Sequence, residues 1–288
     1  MIDLHTHTSI SDGTLSPTEL VRAAQEKHLE AVAVTDHDIV DGLPEALAAG
    51  REIGLLVIPG VEISADSRAG SMHILGYFID YRDASFRRAL QQLRQYRNER
   101  NPKIVAKLNQ LGMALSYEEV KAKAGRGAVG RPHFAQVLVE KGYVRSTQEA
   151  FDKYLKAGAP AYVDKKRLAP AEAIELIHRA GGLAVMAHPV RLKVRDEQDL
   201  AALIQEVVDC GLDGIEAYYS DHSRELTRWL LDMARRFDLL VFGGSDFHGD
   251  HKPHIDLGVG RGDLAVPVEL LKPIERRLGR SLGDVDGR

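Results

Sequence analysis

Apolar runs of about 4–7 residues, rich in Val, Ile and Ala, recur along the chain between stretches with helical spacing. They predict strands near Ile2–His5, Ala31–Thr35, Leu55–Ile58, His73–Phe78, Leu183–Ala187, Gly214–Ala217 and Leu239–Phe242. Most of these runs are apolar throughout, the pattern of parallel strands covered on both faces. Helices are predicted in the gaps. One opens at the capping box Ser16-Pro17-Thr18-Glu19 and runs to about Lys27. Others cover Leu43–Ile53, Pro170–Arg179, Glu197–Val208, Arg224–Phe237 and Val268–Leu278, with Gly54, Gly181-Gly182 and Gly211 at helix ends. Strand and helix alternating in this way imply a parallel α/β sheet or barrel.

The rhythm breaks between Arg82 and Leu168. No strand pattern occurs there. The spacing predicts helices over Ala84–Arg100, Pro102–Leu111, Pro132–Lys141 and Gln148–Lys156, with a further capping box at Ser116-Tyr117-Glu118-Glu119. That is too much helix for one crossover. The expected organisation is a barrel domain built from residues 1–81 and 169–288, with an inserted helical lid subdomain over 82–168.

Polar residues gather where the strands meet their loops. Asp3-Leu4-His5-Thr6-His7 closes the first strand and Asp36-His37-Asp38 follows the second. Glu62 follows the third and His73 begins the fourth; His188, Ser220-Asp221-His222 and Ser245-Asp246-Phe247-His248 follow the last three. In parallel α/β folds such positions converge on one face. Each has an ordinary reading alone: a lone H-x-H is weak, Asp36 and Asp38 suit helix caps, and Asp246 suits a turn. Together they read as one metal site. The chain has a single cysteine, Cys210, so any metal must sit on imidazoles and carboxylates, a donor set that suits zinc, manganese or iron. In extended chain His5 and His7 face the same way, as do Asp246 and His248. Glu62 has two oxygens and can bridge two ions.

The segments Asp3-Leu4-His5-Thr6-His7-Thr8, Ser11-Asp12-Gly13, Thr35-Asp36-His37-Asp38, Gly60-Val61-Glu62, Ala187-His188-Pro189 and Ser245-Asp246-Phe247-His248 resemble those of the PHP (polymerase and histidinol phosphatase) family. Within it they most resemble the stand-alone phosphoesterases, which include 3′,5′-nucleoside bisphosphate phosphatases and 5′→3′ exonucleases of short RNA. The resemblance implies a distorted (β/α)7 barrel with a helical insertion. It also implies two or three divalent metal ions: one on His5, His7, Glu62 and Asp246, a second bridged by Glu62 and completed by His73 and His188, a third on Asp12, His37 and His248. Several family members have His where this chain has Asp12. A carboxylate there favours a harder ion, so manganese is expected before zinc or iron.

Composition then bears on the substrate. The 288 residues are ordinary globular material, which excludes disordered and fibrous classes. No run approaches a membrane span and no secretory signal is visible at the N-terminus, so a cytoplasmic protein is expected. The net charge of −4 argues by itself against a polyanionic partner. Divided by segment it argues the reverse. Residues 82–168 hold 19 Lys+Arg and 8 Asp+Glu, a net of +11, and the rest carries −15. A basic helical lid over a metal-loaded acidic barrel suits a phosphorylated substrate, although exposed arginines such as Arg87, Arg88, Arg94 and Arg97 are also ordinary surface residues.

Gly125-Arg126-Gly127-Ala128-Val129-Gly130 matches G-x-G-x-x-G, but no strand precedes it, so it reads as a mobile loop and not as a dinucleotide site. It leads into Arg131-Pro132-His133-Phe134 at a helix start, where Arg131 and His133 are expected to bind a substrate phosphate. A second phosphate would meet His222 and, less directly, Arg191. The expected activity is hydrolysis of nucleotide phosphate esters by a metal-activated hydroxide: the 3′-phosphate of nucleoside 3′,5′-bisphosphates, short 5′-phosphorylated RNA, or both. Glu62 and Asp246 serve the metals, and His222 is the candidate for protonating the leaving oxygen. Rival expectations are a histidinol-phosphate or sugar-phosphate monoesterase and a non-catalytic support module. The partner expected is a small nucleotide or short oligonucleotide, with no membrane and no obligate protein partner.

Overall fold

A computed structural model of the chain describes residues 1–125, 127, 129–164 and 166–282. Seven strands form one sheet in chain order: β1 (Ile2–Thr6), β2 (Ala31–Val34), β3 (Leu56–Ser67), β4 (Gly70–Tyr77), β5 (Leu183–Met186), β6 (Gly214–Tyr219) and β7 (Leu240–Gly244). The helices are α1 (Pro17–Glu26), α2 (Leu43–Ile53), α3 (Ala84–Gln110), α4 (Tyr117–Ala124), α5 (Arg131–Glu140), α6 (Thr147–Ala150), α7 (Pro170–Arg179), α8 (Glu197–Val208), α9 (Arg224–Arg236) and α10 (Leu271–Leu278).

The sheet curls into a nearly closed barrel. Past the last strand, the Asp246 N–H donates to His5 O at 2.8 Å and the His7 N–H to Phe247 O at 2.9 Å, so the chain after β7 lies beside β1. Gly244 makes this approach possible: a Cβ there would stand 2.3 Å from the His5 backbone nitrogen. Alternate strand residues divide the core. Val32, Val34, Ile63 and Ile74 pack with Leu20 of α1, Leu43 of α2, Ile177 of α7 and Leu203 of α8. Ala31, Ala33, Ile58, Leu75, Val185 and Phe242 belong to the opposite, interior cluster. Because side chains alternate along a strand, Glu62 continues the interior face of Ile58, and His73 that of Leu75.

The expected seven-stranded barrel is present, but its strands are not all parallel: β4 departs from the expected direction. This strand runs antiparallel to both β3 and β5. Its reversal explains how His73, in the first half of β4 and not at its start as expected, reaches the ligand end of the barrel: on an antiparallel strand the early residues lie at the end reached by the late residues of its neighbours. Glu62 is correspondingly inside β3 and not after it, because β3 continues to Ser67 to pair with β4. The expected break between two helices at Pro102 is also absent, since α3 runs through it as one helix. A proline costs an interior helix one hydrogen bond and a ring clash. Packing on both sides holds α3 together: Phe86, Leu90 and Leu93 join the barrel core, and Ile104 and Leu108 join an apolar cluster with Phe134, Leu138 and Leu155. The predicted helix Gln148–Lys156 divides into α6 and a five-residue π-turn, Phe151–Leu155. Among the described residues no helix is long and apolar enough to cross a membrane.

Candidate metal centre

Glu62 is fully buried, and its two oxygens face different histidines. Oε1 lies 2.6 Å from His73 Nδ1 and 2.8 Å from His188 Nε2. Oε2 lies 3.1 Å from His37 Nδ1, 3.2 Å from His7 Nε2 and 3.3 Å from His5 Nε2. Asp246 Oδ1 completes the His5–His7 side at 3.3 Å from His7 Nε2 and 3.7 Å from His5 Nε2. Asp12 joins from the loop after β1: its Oδ1 is 3.4 Å from His248 Nε2 and 3.8 Å from His7 Nδ1, and its Oδ2 is 3.9 Å from His37 Nε2. All nine expected ligands therefore meet at one end of the barrel. Three groups have donor atoms close enough to share an ion: His5, His7, Glu62 and Asp246; His7, Asp12, His37 and His248; and His37, Glu62 and His73. His188 and His73 share Glu62 Oε1, as expected, while His37 also reaches Glu62, on Oε2, and His7 reaches the Asp12 group as well.

The donor atoms carry the test of whether cations fit. His5 Nε2, both ring nitrogens of His7, His37 Nδ1 and Glu62 Oε2 are buried without a hydrogen-bond partner. Such atoms are costly to bury unless something binds them. Burial pushes His37 and His188 down to about 3 and His248 to about 4, so these rings are neutral ligands at ordinary pH. Burial also opposes charge on His7, but Asp246 and Glu62 overcome it and lift the ring to about 9. The carboxylates on that side demand positive charge, which divalent ions satisfy. The residues present fit divalent metal ions.

A second layer fixes the ligands, and the sequence reading missed most of it. Glu216, buried in the middle of β6, takes His5 Nδ1 at 2.9 Å and the His188 N–H at 2.6 Å. With Nδ1–H donating to Glu216, Nε2 of His5 is the free ligand nitrogen. Asp3 accepts from Ser245 N–H and Oγ and from the Gly258 N–H, holding the loop that carries Asp246. Asp36 is not in the cluster. It accepts from Thr8 and Ser11 and shapes the loop that presents Asp12. Asp38, His188 and Asp246 have φ of 56°, 26° and 59°, left-handed values that turn the chain sharply at the barrel mouth.

The phosphate-binding candidates lie around this cluster. His133 Nδ1 accepts from the Gly130 N–H at 2.9 Å, leaving Nε2 as a donor, and burial pushes the ring down to about 4. Gly127 packs against the Asp12 loop so closely that a Cβ would stand 2.3 Å from Ser9 O. Arg126 and Ala128 of the same glycine-rich segment lie outside the described residues. Arg131 donates to Leu155 O at 3.1 Å and stacks near Phe151 and Tyr162. It belongs to a cluster the sequence did not reveal, with Arg97, Arg100 and Arg167. Burial, then the neighbouring guanidiniums of Arg97, Arg131 and Arg167, lower Arg100 to about 9. Arg97 holds Asp38 at 2.6 Å, while its buried Nε has no partner.

His222 stands apart from the metal cluster. Its Nδ1 donates to Ala217 O at 2.9 Å, and its ring meets the edge of Tyr219. Nε2 is then an unprotonated acceptor, and burial holds the ring at about 4. That arrangement suits accepting a hydrogen bond, not delivering a proton as expected. Tyr219 itself donates to Asp246 Oδ2 at 2.9 Å and receives Arg191 Nε at 2.6 Å; Lys252 also reaches Asp246 Oδ2, at 2.7 Å. Tyr219 and Lys252 are thus part of the site, although Lys252 had no motif to mark it.

A barrel whose mouth gathers nine candidate imidazole and carboxylate ligands beside buried arginines defines a metal-dependent phosphoesterase. The PHP domain model matches residues 3–256, and the chain belongs to the PHP family. It is 37% identical to a 5′-3′ exoribonuclease of Haemophilus influenzae, over 85% of this chain and 89% of that protein. It is 34% identical to a 3′,5′-nucleoside bisphosphate phosphatase of Chromobacterium violaceum, over 98% of this chain and 96% of that protein. An amidohydrolase structure from Chromobacterium violaceum, with bound sulfate and no metal, superposes with a TM-score of 0.85 at 33% identity, covering 96% of this chain and 95% of that one.

Proposed function

We propose that the protein hydrolyses nucleotide phosphate esters: the 3′-phosphate of nucleoside 3′,5′-bisphosphates, the terminal linkage of short 5′-phosphorylated RNA, or both. One observation carries this reading most: a buried carboxylate cluster for cations lies beside four buried or half-buried arginines with few acids among them. The first suits the phosphoryl group that reacts. The second suits another phosphate on the same molecule. These arginines already hold Asp38, Leu155 O and Asp164, and a simple sugar-phosphate monoester would bring them no second phosphate. The similarity to an exoribonuclease and to a nucleoside bisphosphate phosphatase supports a nucleotide substrate.

Divalent ions held by His5, His7, Asp12, His37, Glu62, His73, His188, Asp246 and His248 would supply Lewis-acid stabilisation of phosphoryl oxygens and an acidified water. Manganese is the preferred ion, because Asp12 adds a hard oxygen donor. The chain's own residues do the rest. Glu216 keeps His5 Nδ1 protonated so that Nε2 points inward. His133, through Nε2–H, donates to a substrate oxygen near Asp12. Arg97, Arg100, Arg131 and Arg167 hold the remote phosphate and so fix which ester reaches the metals. Arg191 and Lys252, now on Asp246, are placed to share a phosphoryl oxygen. His222 positions the substrate by accepting a hydrogen bond from a substrate hydroxyl at Nε2.

This reading includes residues 82–168 acting as a unit over the barrel mouth, and a cytoplasmic location, which rests on the lone cysteine. The experiment is an assay of manganese-loaded protein with adenosine 3′,5′-bisphosphate and with short 5′-phosphorylated RNA. Metal-dependent release of phosphate or mononucleotide is expected. No turnover of either, or equal turnover of histidinol phosphate, overturns the reading.

A further inference from the structure

The first turns of α3 carry more charge than the metal centre uses. A groove of about 450 Å³ runs between α3 and the segment after His37, and Arg82, Arg87, Arg88 and Arg94 line it. Among the described residues lining it, Asp41 is the only acid. Asp41 holds Arg87 at 3.0 Å and Arg94 at 3.1 Å, and these two side chains are 46% and 37% exposed. Their forks are thus positioned yet still open to solvent. Val40 and Leu90 give the groove an apolar floor.

The groove is stitched directly to the metal centre. Three residues before Asp41, Asp38 takes Arg97 at 2.6 Å and the Ser64 N–H at 3.0 Å, and His37 beside it lies against Glu62. Arginines on α3 therefore lead from the open groove at Arg87 to the buried site at Arg97. Ten residues of helix span about 15 Å. That covers several stacked nucleotide steps at about 3.4 Å each. A mononucleotide seated at the metals would leave the groove untouched. We propose that the Arg82–Arg87–Arg88–Arg94 groove binds the phosphodiester backbone of single-stranded RNA beyond the reacting nucleotide. Resting on the nucleotide-phosphoesterase reading, this makes oligonucleotides the substrates with the larger recognition surface.

The test is anisotropy of a labelled, 5′-phosphorylated pentanucleotide with phosphorothioate linkages that block turnover, beside a dinucleotide of the same chemistry. In the R87Q/R88Q/R94Q protein the pentanucleotide should bind about tenfold more weakly, and its affinity should depend less steeply on salt, by a slope of about 0.7 per lost phosphate contact. The dinucleotide should bind as to the unmutated protein. Arg88→Glu, a single surface change, should act in the same direction. Unchanged pentanucleotide binding, or an equal loss for the dinucleotide, overturns the proposal. Hydrolysis of adenosine 3′,5′-bisphosphate and of unmodified short 5′-phosphorylated RNA by the unmutated protein is measured in parallel. Absence of both refutes the nucleotide-phosphoesterase reading, while the binding comparison still judges the groove.

Discussion

Replacing Glu216 with glutamine isolates the layer behind the metal ligands, because Glu216 itself reaches no candidate ion. Its carboxylate receives two donors, His5 Nδ1–H at 2.9 Å and the His188 N–H at 2.6 Å. Glutamine keeps one acceptor and gains an NH₂ group. If its oxygen faces His188, the NH₂ meets His5 Nδ1, and the favourable answer is for the ring to change tautomer. The proton then sits on Nε2, the nitrogen that faces Glu62 and Asp246. If the amide turns the other way, the buried His188 N–H faces a donor. Either outcome damages a ligand. Loss of such a partner costs about 10–100-fold in metal affinity, which is about 1.4–2.7 kcal/mol. Manganese titration of apoprotein by calorimetry, with the fold checked by circular dichroism, measures it. A native fold with unchanged manganese affinity would refute the argument that Glu216 sets the His5 tautomer.

Other outcomes follow from the same geometry. Gly244→Ala drives a Cβ to within 2.3 Å of the His5 nitrogen, so it should cost about 2–3 kcal/mol as overpacking; thermal melting should fall, and metal affinity with it. His133 is neutral when folded at about 4 against its ordinary 6.5, so the folded state resists protonation. Its contribution is intact above pH 6.5 and is lost as pH falls towards 4, by about 3 kcal/mol at most; urea unfolding at both ends of that window should show a smaller difference in His133→Gln. Arg100→Gln should raise KM for adenosine 3′,5′-bisphosphate by about tenfold or more while sparing a substrate with a single phosphate, through loss of a charge-assisted contact. Equal effects on both substrates would remove Arg100 from the remote phosphate site.

Much of the centre was readable because its ligands sit in short, unusual strings. His5-Thr6-His7 and Asp246-Phe247-His248 place two ligands at the two-residue period of extended chain. What stayed hidden was set by tertiary contact or strand direction. An apolar run does not state which way its strand points, so the reversal of β4 was missed. The signal available was the alternation of Val61, Ile63 and Ala65 with Glu62, Ser64 and Asp66, followed by the turn at Arg68–Gly70, which marks a hairpin. Glu216 had a weaker marker: a carboxylate inside the apolar run Gly214-Ile215-Glu216-Ala217, where only a bound partner justifies the burial. Arg97 and Arg100 looked like ordinary residues of a charged helix. Only the fold shows that α3 turns them inward towards Arg131 and Arg167. Pro102 pointed to a helix end, and packing on either side of it overrode that local preference.

The two oxygens of Glu62 face separate sets of candidate ligands, and we propose that each serves its own ion site. Elemental analysis of purified, manganese-loaded protein tests it most directly, with Glu62→Gln as the comparison. Two or three ions per chain are expected in the unmutated protein and no more than one in the folded variant. Fewer than one ion in the first, or the same number in both, would contradict it.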